Sequence, residues 1–343
     1  MIILAVISLG KQNNTAVNNA EAYIISQLAK TNPEHQFILC LPQQGKDIYE
    51  ATFNLKMVYY QESVIPFITK LRLEKIIQGI KPDVCICADD VVAITSETSV
   101  YRWITTQLTN KHSRFLKQPY TKWLLNENPD AIWQHQFTQH QISYTVINPL
   151  LTSTTLIADM EKFTFKQKYT SGSDFVLYNF MGIVDTEKWI LLLKAYTQFK
   201  QWNKTGLQLL IGCSPEQEKQ LLQILENYKL RNEVHVLNIE NAHELEIAIH
   251  AAYMLVDLTD EVKLTASMLC ALQCGVPLIV PEHSFFINVC QESVLYTKTE
   301  VASIASKMTL VYKDETACEE RSAHYKMMSQ GGVKMMEVIQ AYG

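Results

Sequence analysis

Short apolar runs recur along this chain, and between them lie stretches whose apolar positions fall at helical spacing. The runs at 2–8, 37–41, 57–60 and 84–88 predict strands. The stretches 16–30 and 68–80 predict helices; the first offers Ala20, Tyr23, Ile24, Ile25 and Leu28 for burial. Residues 129–137 and 144–148 predict further strands. Residues 151–173, threonine-rich and then polar around Gly172, predict a linker. The alternation resumes with strands at 175–182, 207–212 and 234–237 and helices at 186–199 and 215–228. Helices at 300–313, 319–329 and 333–342 end the chain. Strand alternating with helix implies a doubly wound parallel sheet, here in two halves.

The stretch 246–282, EIAIHAAYMLVDLTDEVKLTASMLCALQCGVPLIVPE, carries the densest information. Ile247, Ala248, Ala251 and Ala252 form the apolar face of a helix, and Met254-Leu255-Val256 is a short strand. Thr259 and Asp260 are predicted to cap the next helix, because a short side-chain oxygen satisfies free N–H groups at a helix start. Leu264, Met268, Leu269 and Leu272 follow at helical spacing. Gly275 is placed to end the helix at positive φ. Pro277 leads into another buried strand at 278–280.

These letters resemble the hallmark E-G-F-G-L-P-x-x-E-A-M-A-C-G-x-P-V-I of the retaining nucleotide-sugar glycosyltransferases with the GT-B fold (group 1, family 4-like). Ala271, Cys274, Gly275, Pro277 and Ile279 fall on matching letters. Val262 occupies the first glutamate slot, with Glu261 one residue early, and Cys270 occupies the second. Lys263 and Thr265 replace the two glycines of G-F-G. The resemblance extends to the first half: Asn18-Asn19-Ala20-Glu21 stands where the family has G-G-x-E. KPDVCIC is similar to the family's K-P-D-V-I-H, and YTVINPLL to V-I-P-N-G. The resemblance implies an α/β chain of GT-B type, two Rossmann-like domains facing across a cleft. Residues 1–160 would form the acceptor-side domain and 161–330 the donor-side domain, with a final helix, 331–343, packing back on the first.

The same resemblance places a donor site. The family's G-R-L-x-x-x-K-G, which holds the diphosphate, here reads Gly182-Ile183-Val184-Asp185-Thr186-Glu187-Lys188-Trp189. Gly182 and Lys188 match, and Ile183 replaces the arginine. Cations belong there because neutralised charge makes diphosphate a better leaving group. Lys188 also reads as a solvated first-turn residue. Glu261, Lys263 and Thr265 are the candidates at the following helix start, where N–H groups favour anions; helix capping is the other reading of Asp260 and Glu261. The polar loop with Gly10, Asn18 and Asn19 sits at the edge of the first strand, where ligands of open α/β sheets bind. No residue is assigned as catalytic, and the resemblance implies no metal and no cofactor beyond the nucleotide-sugar donor.

Composition narrows the alternatives. The chain has 343 residues, 48% hydrophobic and 19% charged, enough for two ordinary domains. A net charge of −5 supplies no global field for nucleic acid. Eleven glycines are few against a usual ~7%, so glycine-rich phosphate cradles are scarce. The eight cysteines lie mostly in apolar runs, as in a cytoplasmic protein with reduced thiols. Cys85-x-Cys87 and Cys270-x3-Cys274 lack a second pair at zinc spacing. Between Glu97 and Glu127 no acidic residue occurs, while Arg102, Lys111, Arg114, Lys117 and Lys122 alternate with Tyr101, Trp103, Phe115, Tyr120 and Trp123. Such an interval docks an anionic membrane or a phosphorylated acceptor, or it is ordinary charged surface over core aromatics. On the first reading the protein sits at the inner face of the membrane.

The leading expectation is a transferase that moves a sugar from a nucleotide sugar to an acceptor the sequence does not name, lipid-linked on the membrane reading. The alternative is a non-catalytic GT-B binding protein, or a partner subunit of an active glycosyltransferase. The lost glutamates, arginine and glycines favour the alternative.

Overall fold

The apolar runs form strands buried on both faces, which is why they read as continuous hydrophobic segments rather than alternating ones. The computed structural model describes the chain apart from residues 8–18, 44–45, 47, 64–65, 89–98, 105–107, 109–111, 113–115, 117–121, 151–156, 180–185, 214, 240, 260–261, 332–333 and 343, and the side chains of 215, 216, 317 and 342. It divides into two compact units: Met1–Thr154 with Gly331–Gly343, and Thr155–Gln330.

In the first unit the elements run β1 (Ile2–Val6), α1 (Ala20–Thr31), β2 (Gln36–Pro42), β3 (Leu55–Tyr60), α2 (Pro66–Ile80), β4 (Val84–Ala88), β5 (Ser99–Ile104), β6 (Lys122–Leu125), α3 (Ala131–Gln139) and β7 (Tyr144–Val146). Among the described residues they give a seven-stranded sheet in the order β3-β2-β1-β4-β5-β6-β7, every neighbouring pair parallel. Leu4, Cys40, Cys85 and Leu73 share one core cluster on this sheet.

Two sequence expectations fail here. Residues 129–137, read as a strand, form helix α3. Asp130 caps it by accepting the Trp133 N–H at 2.9 Å, and Trp133 and Phe137 bury one face against Trp123. Run length alone does not separate a short buried helix from a strand. The basic, aromatic interval is no continuous surface either. Tyr101, Arg102 and Trp103 lie buried in β5, and Lys122 and Trp123 in β6. Trp103 donates its indole N–H to buried Asn126 at 3.2 Å. Lys111, Arg114, Phe115, Lys117 and Tyr120 lie outside the described residues.

The second unit runs α4 (Asp159–Thr170), β8 (Phe175–Asn179), α5 (Thr186–Asn203), β9 (Gln208–Cys213), α6 (Pro215–Glu226), β10 (Val234–Asn238), α7 (Ala242–Ala251), β11 (Met254–Val256), α8 (Ala266–Cys274), β12 (Leu278–Pro281), α9 (Ser284–Cys290), β13 (Leu295–Thr297), α10 (Val301–Lys313) and α11 (Glu315–Gln330). Its described strands form a six-stranded parallel sheet in the order β10-β9-β8-β11-β12-β13. Tyr178, Trp189, Tyr196, Phe199 and Met254, all fully buried, anchor its core. Each such side chain contributes roughly 1.5–3 kcal/mol by leaving water.

Much of the expected linker is helix α4. Phe165 buries itself against Phe175, with ring centroids 6.0 Å apart. Glu161 accepts the Ala158 N–H at 3.1 Å, and Ser171 ends the helix in the left-handed region. The polar letters of this segment are its solvent face. A last helix, α12 (Met335–Tyr342), belongs to the first unit, with Met335, Val338 and Ile339 buried.

Candidate functional site

The strand order of the second unit reverses between β8 and β11: β9 and β10 lie to one side, β12 and β13 to the other. Loops leaving the carboxyl ends of two such strands diverge, and the crevice between them is where open α/β sheets bind ligands. Three candidate features converge there. Lys188 stands in the first turn of α5, which follows β8. Asp257 follows β11 directly, its N–H bonded to the Ile279 carbonyl at 3.0 Å. Thr265 caps α8 by accepting the Met268 N–H at 3.2 Å.

These side chains form one buried polar cluster. The Lys188 ammonium donates to the Leu258 carbonyl at 2.5 Å. The Asp257 carboxylate accepts the Thr259 N–H at 3.0 Å and the Thr265 hydroxyl at 3.3 Å, and the Thr265 and Ser267 hydroxyls lie 2.9 Å apart. Lys188 is 6% exposed and Asp257 2%. Burial pushes the Asp257 carboxyl up to about 6; the Thr259 N–H, the Thr265 hydroxyl, the Lys188 charge and the Ser267 hydroxyl oppose that rise. A buried charge survives only when it is hydrogen-bonded and compensated: Lys188 is held by the Leu258 carbonyl, Asp257 by Thr259 and Thr265, and the Lys188 charge favours the Asp257 carboxylate. The cluster ties α5, the end of β11 and the start of α8 into one rigid corner. Chemically, it holds one buried cation and one helix N-terminus at the same sheet edge, and helix N-termini favour anions.

Of the residues singled out by sequence, Lys188 and Thr265 are thus brought together through Asp257. Lys263 is half-buried two residues before the cap. Gly182, Glu261, Gly10 and Asn18 lie outside the described residues. Asn19 caps α1, its side-chain oxygen accepting the Ala22 N–H at 2.7 Å. The expected cap of α8 at Thr259 and Asp260 is corrected to Thr265: the helix begins at Ala266, and the Thr259 N–H serves Asp257 instead. Cys270 is buried within α8, and Gly275 ends that helix at φ 77°, as expected. Sequence reasoning missed Asp257 and Ser267. The available signal was an aspartate directly after an apolar strand, with hydroxyl residues eight and ten positions on.

No protein-family model matches the chain, and no curated protein matches it. Solved structures do match, over almost the full length. HepE of Anabaena, in complex with UDP and glucose, superposes with a TM-score of 0.64 at 13% identity, over 99% of this chain and 98% of that one. WaaG, a glycosyltransferase involved in lipopolysaccharide biosynthesis, gives 0.63 at 9% identity, over 100% and 98%. UDP-GlcNAc 2-epimerase from Neisseria meningitidis, bound to UDP-GlcNAc, gives 0.59 at 13% identity, over 94% of each. The chain therefore has the two-unit, parallel-sheet GT-B architecture that these proteins share.

Proposed function

We propose that this protein is a GT-B glycosyltransferase whose second unit binds a nucleotide sugar at the β8/β11 edge. The observation that carries the reading is buried Lys188, bonded to the Leu258 carbonyl and near enough for its charge to act on Asp257, which accepts from the α8 cap Thr265, at the point where strand order reverses. Full-length likeness to HepE, solved with UDP and glucose, supports it. In this reading the diphosphate lies over the start of α8. Lys188 exchanges the Leu258 carbonyl for a phosphate oxygen and neutralises charge that develops on the leaving nucleoside diphosphate. Lys263 stands two residues before the cap of the same helix. The acceptor binds the first unit; the membrane-docking reading of its basic interval keeps only Lys111, Arg114 and Lys117 among its cations. Among the described residues no helix is long and apolar enough to cross a membrane.

A second reading, a non-catalytic nucleotide-sugar binder or partner subunit, has its own observation. Lys188 already donates to the Leu258 carbonyl, and a buried thiol, Cys270, stands where the resemblance places a ribose-binding carboxylate.

Calorimetry with UDP, GDP, ADP and their sugars tests binding, and release of nucleoside diphosphate with analysis of the sugar product tests turnover. Transfer or hydrolysis of one bound donor is expected. Binding with no turnover selects the second reading. A folded protein that binds none of these nucleotides at millimolar concentration removes the transferase and nucleotide-binder readings and leaves the partner subunit.

A further inference from the structure

Helices α7 and α8 pack against each other, and their contact gathers three donor groups. His250 stands in the last turn of α7, and Cys270 and Cys274 stand one turn apart on α8. One turn apart means one helix face. One imidazole nitrogen and the two sulfurs all lie within 4.8 Å of one another. Cys270 is buried, and His250 and Cys274 are half-buried.

We propose that His250, Cys270 and Cys274 form a zinc site that clasps α7 to α8. Tetrahedral zinc, with bonds of ~2.3 Å to sulfur and ~2.0 Å to nitrogen, holds its ligand atoms roughly 3.5–3.8 Å apart. The present spread closes with side-chain shifts of about 1 Å, which χ1 and χ2 rotations supply. Two thiolates and a neutral imidazole cancel the charge of one dication, so the loaded site is a neutral unit, suited to a half-buried position. The donor set is soft, which selects zinc over magnesium or calcium. Three protein ligands leave a fourth position for water or an incoming donor. Cys274 also lines a groove with Tyr253, Gly275, Tyr312, Cys318 and Ser322, which offers a route to the site from solvent.

Binding exchanges thiol protons for the metal, and those protons go to solvent. The site concerns the second unit alone and does not depend on the nucleotide-sugar reading.

The test uses the full chain, reduced and stripped of metal with a chelator. Zinc is titrated against a competing chromophoric chelator, with cobalt as a spectroscopic substitute. One equivalent of zinc is expected, together with a thiolate-to-cobalt charge-transfer band, tetrahedral ligand-field absorption and a higher unfolding temperature. Cys274→Ser and His250→Gln should each weaken zinc binding by roughly a hundredfold or more, beyond the effect of losing an outer-shell group. Both positions are half-buried, so the variants test the site even if Cys270→Ser does not fold. Absence of stoichiometric zinc on the folded, reduced parent overturns the proposal. So does zinc binding that both variants retain, because six other cysteines would then be the ligands. A Cys270–Cys274 disulfide that forms in air and persists when zinc is present also overturns it.

Discussion

The Lys188 ammonium donates to the Leu258 carbonyl, joining the first turn of α5 to a backbone atom seventy residues further along the chain. A lysine at a helix start opposes the helix dipole. Its place is explained by what lies across the corner: a carbonyl beyond the end of β11 and the Asp257 carboxylate beside it. The same corner holds Thr265, whose single hydroxyl oxygen serves both Asp257 and the Met268 N–H.

Removing Lys188 should therefore affect folding and ligand binding together. Lys188→Met takes away the charge that favours the buried Asp257 carboxylate and the donor to the Leu258 carbonyl, and losing such a charged hydrogen bond costs about 1.5–3 kcal/mol. Adding Asp257→Asn should recover part of that loss, with a coupling of roughly 1 kcal/mol or more. Urea denaturation of the parent, both single variants and the double variant gives the coupling. In variants that stay folded, nucleoside-diphosphate affinity should fall by roughly tenfold to a hundredfold, as for a lost charged hydrogen bond. Simple additivity in the denaturation cycle would break the link between the two side chains.

Asp257 should leave a signature in the pH dependence of stability. Its folded value, about 6, lies above the ordinary 3.8, so between those values the native state binds more protons than the unfolded chain. Stability from this group is present below about pH 4 and declines as pH rises to about 6. Relative to Asp257→Asn, the parent should lose roughly 2–3 kcal/mol across that window. Urea midpoints for both proteins at several pH values check this. A difference between them that does not change with pH would mean Asp257 titrates normally.

Gly275 ends α8 at φ 77°, and an added Cβ would lie 3.0 Å from the Ser322 hydroxyl of α11. Gly275→Ala should cost about 1–2 kcal/mol from the left-handed backbone, plus the close contact. Combining it with Ser322→Ala should recover the contact part and leave the backbone part. Full recovery in the double variant would show that conformation is not the constraint.

Trp103 separates the two readings of the basic, aromatic interval. It is buried in β5 and donates to Asn126, so Trp103→Ala should destabilise the first unit by about 3–5 kcal/mol. Thermal unfolding measures it. An unchanged melting temperature with weakened sedimentation on anionic vesicles would restore the surface reading.

The βα alternation, the two halves and the stop at Gly275 were legible because each is local. A buried strand declares itself by a run of apolar letters, a helix by its period, and a left-handed stop by glycine. Strand β4 falls on the residues 84–88 that its pattern predicts. The misreadings occurred where local pattern is ambiguous. An apolar run with no decisive period became α3, and polar letters that seemed a linker became the wet face of α4. Arg102 and Lys122 looked like surface because charge is usually solvated; only pairing of β5 with β6 puts them inside.

What the sequence determined by itself was the class of architecture and the placing of Lys188 and Thr265 just after recognisable strands. Tertiary structure decided what those residues touch. Lys188 meets Leu258 because β8 and β11, far apart in the chain, pair side by side at the point where strand order reverses. His250 meets Cys270 and Cys274 because α7 and α8 pack together, and no spacing rule on one segment reports a contact between two. Periodicity is a property of one segment, whereas a charge pair or a ligand set is a distance between segments, and that distance exists only once the sheet has formed.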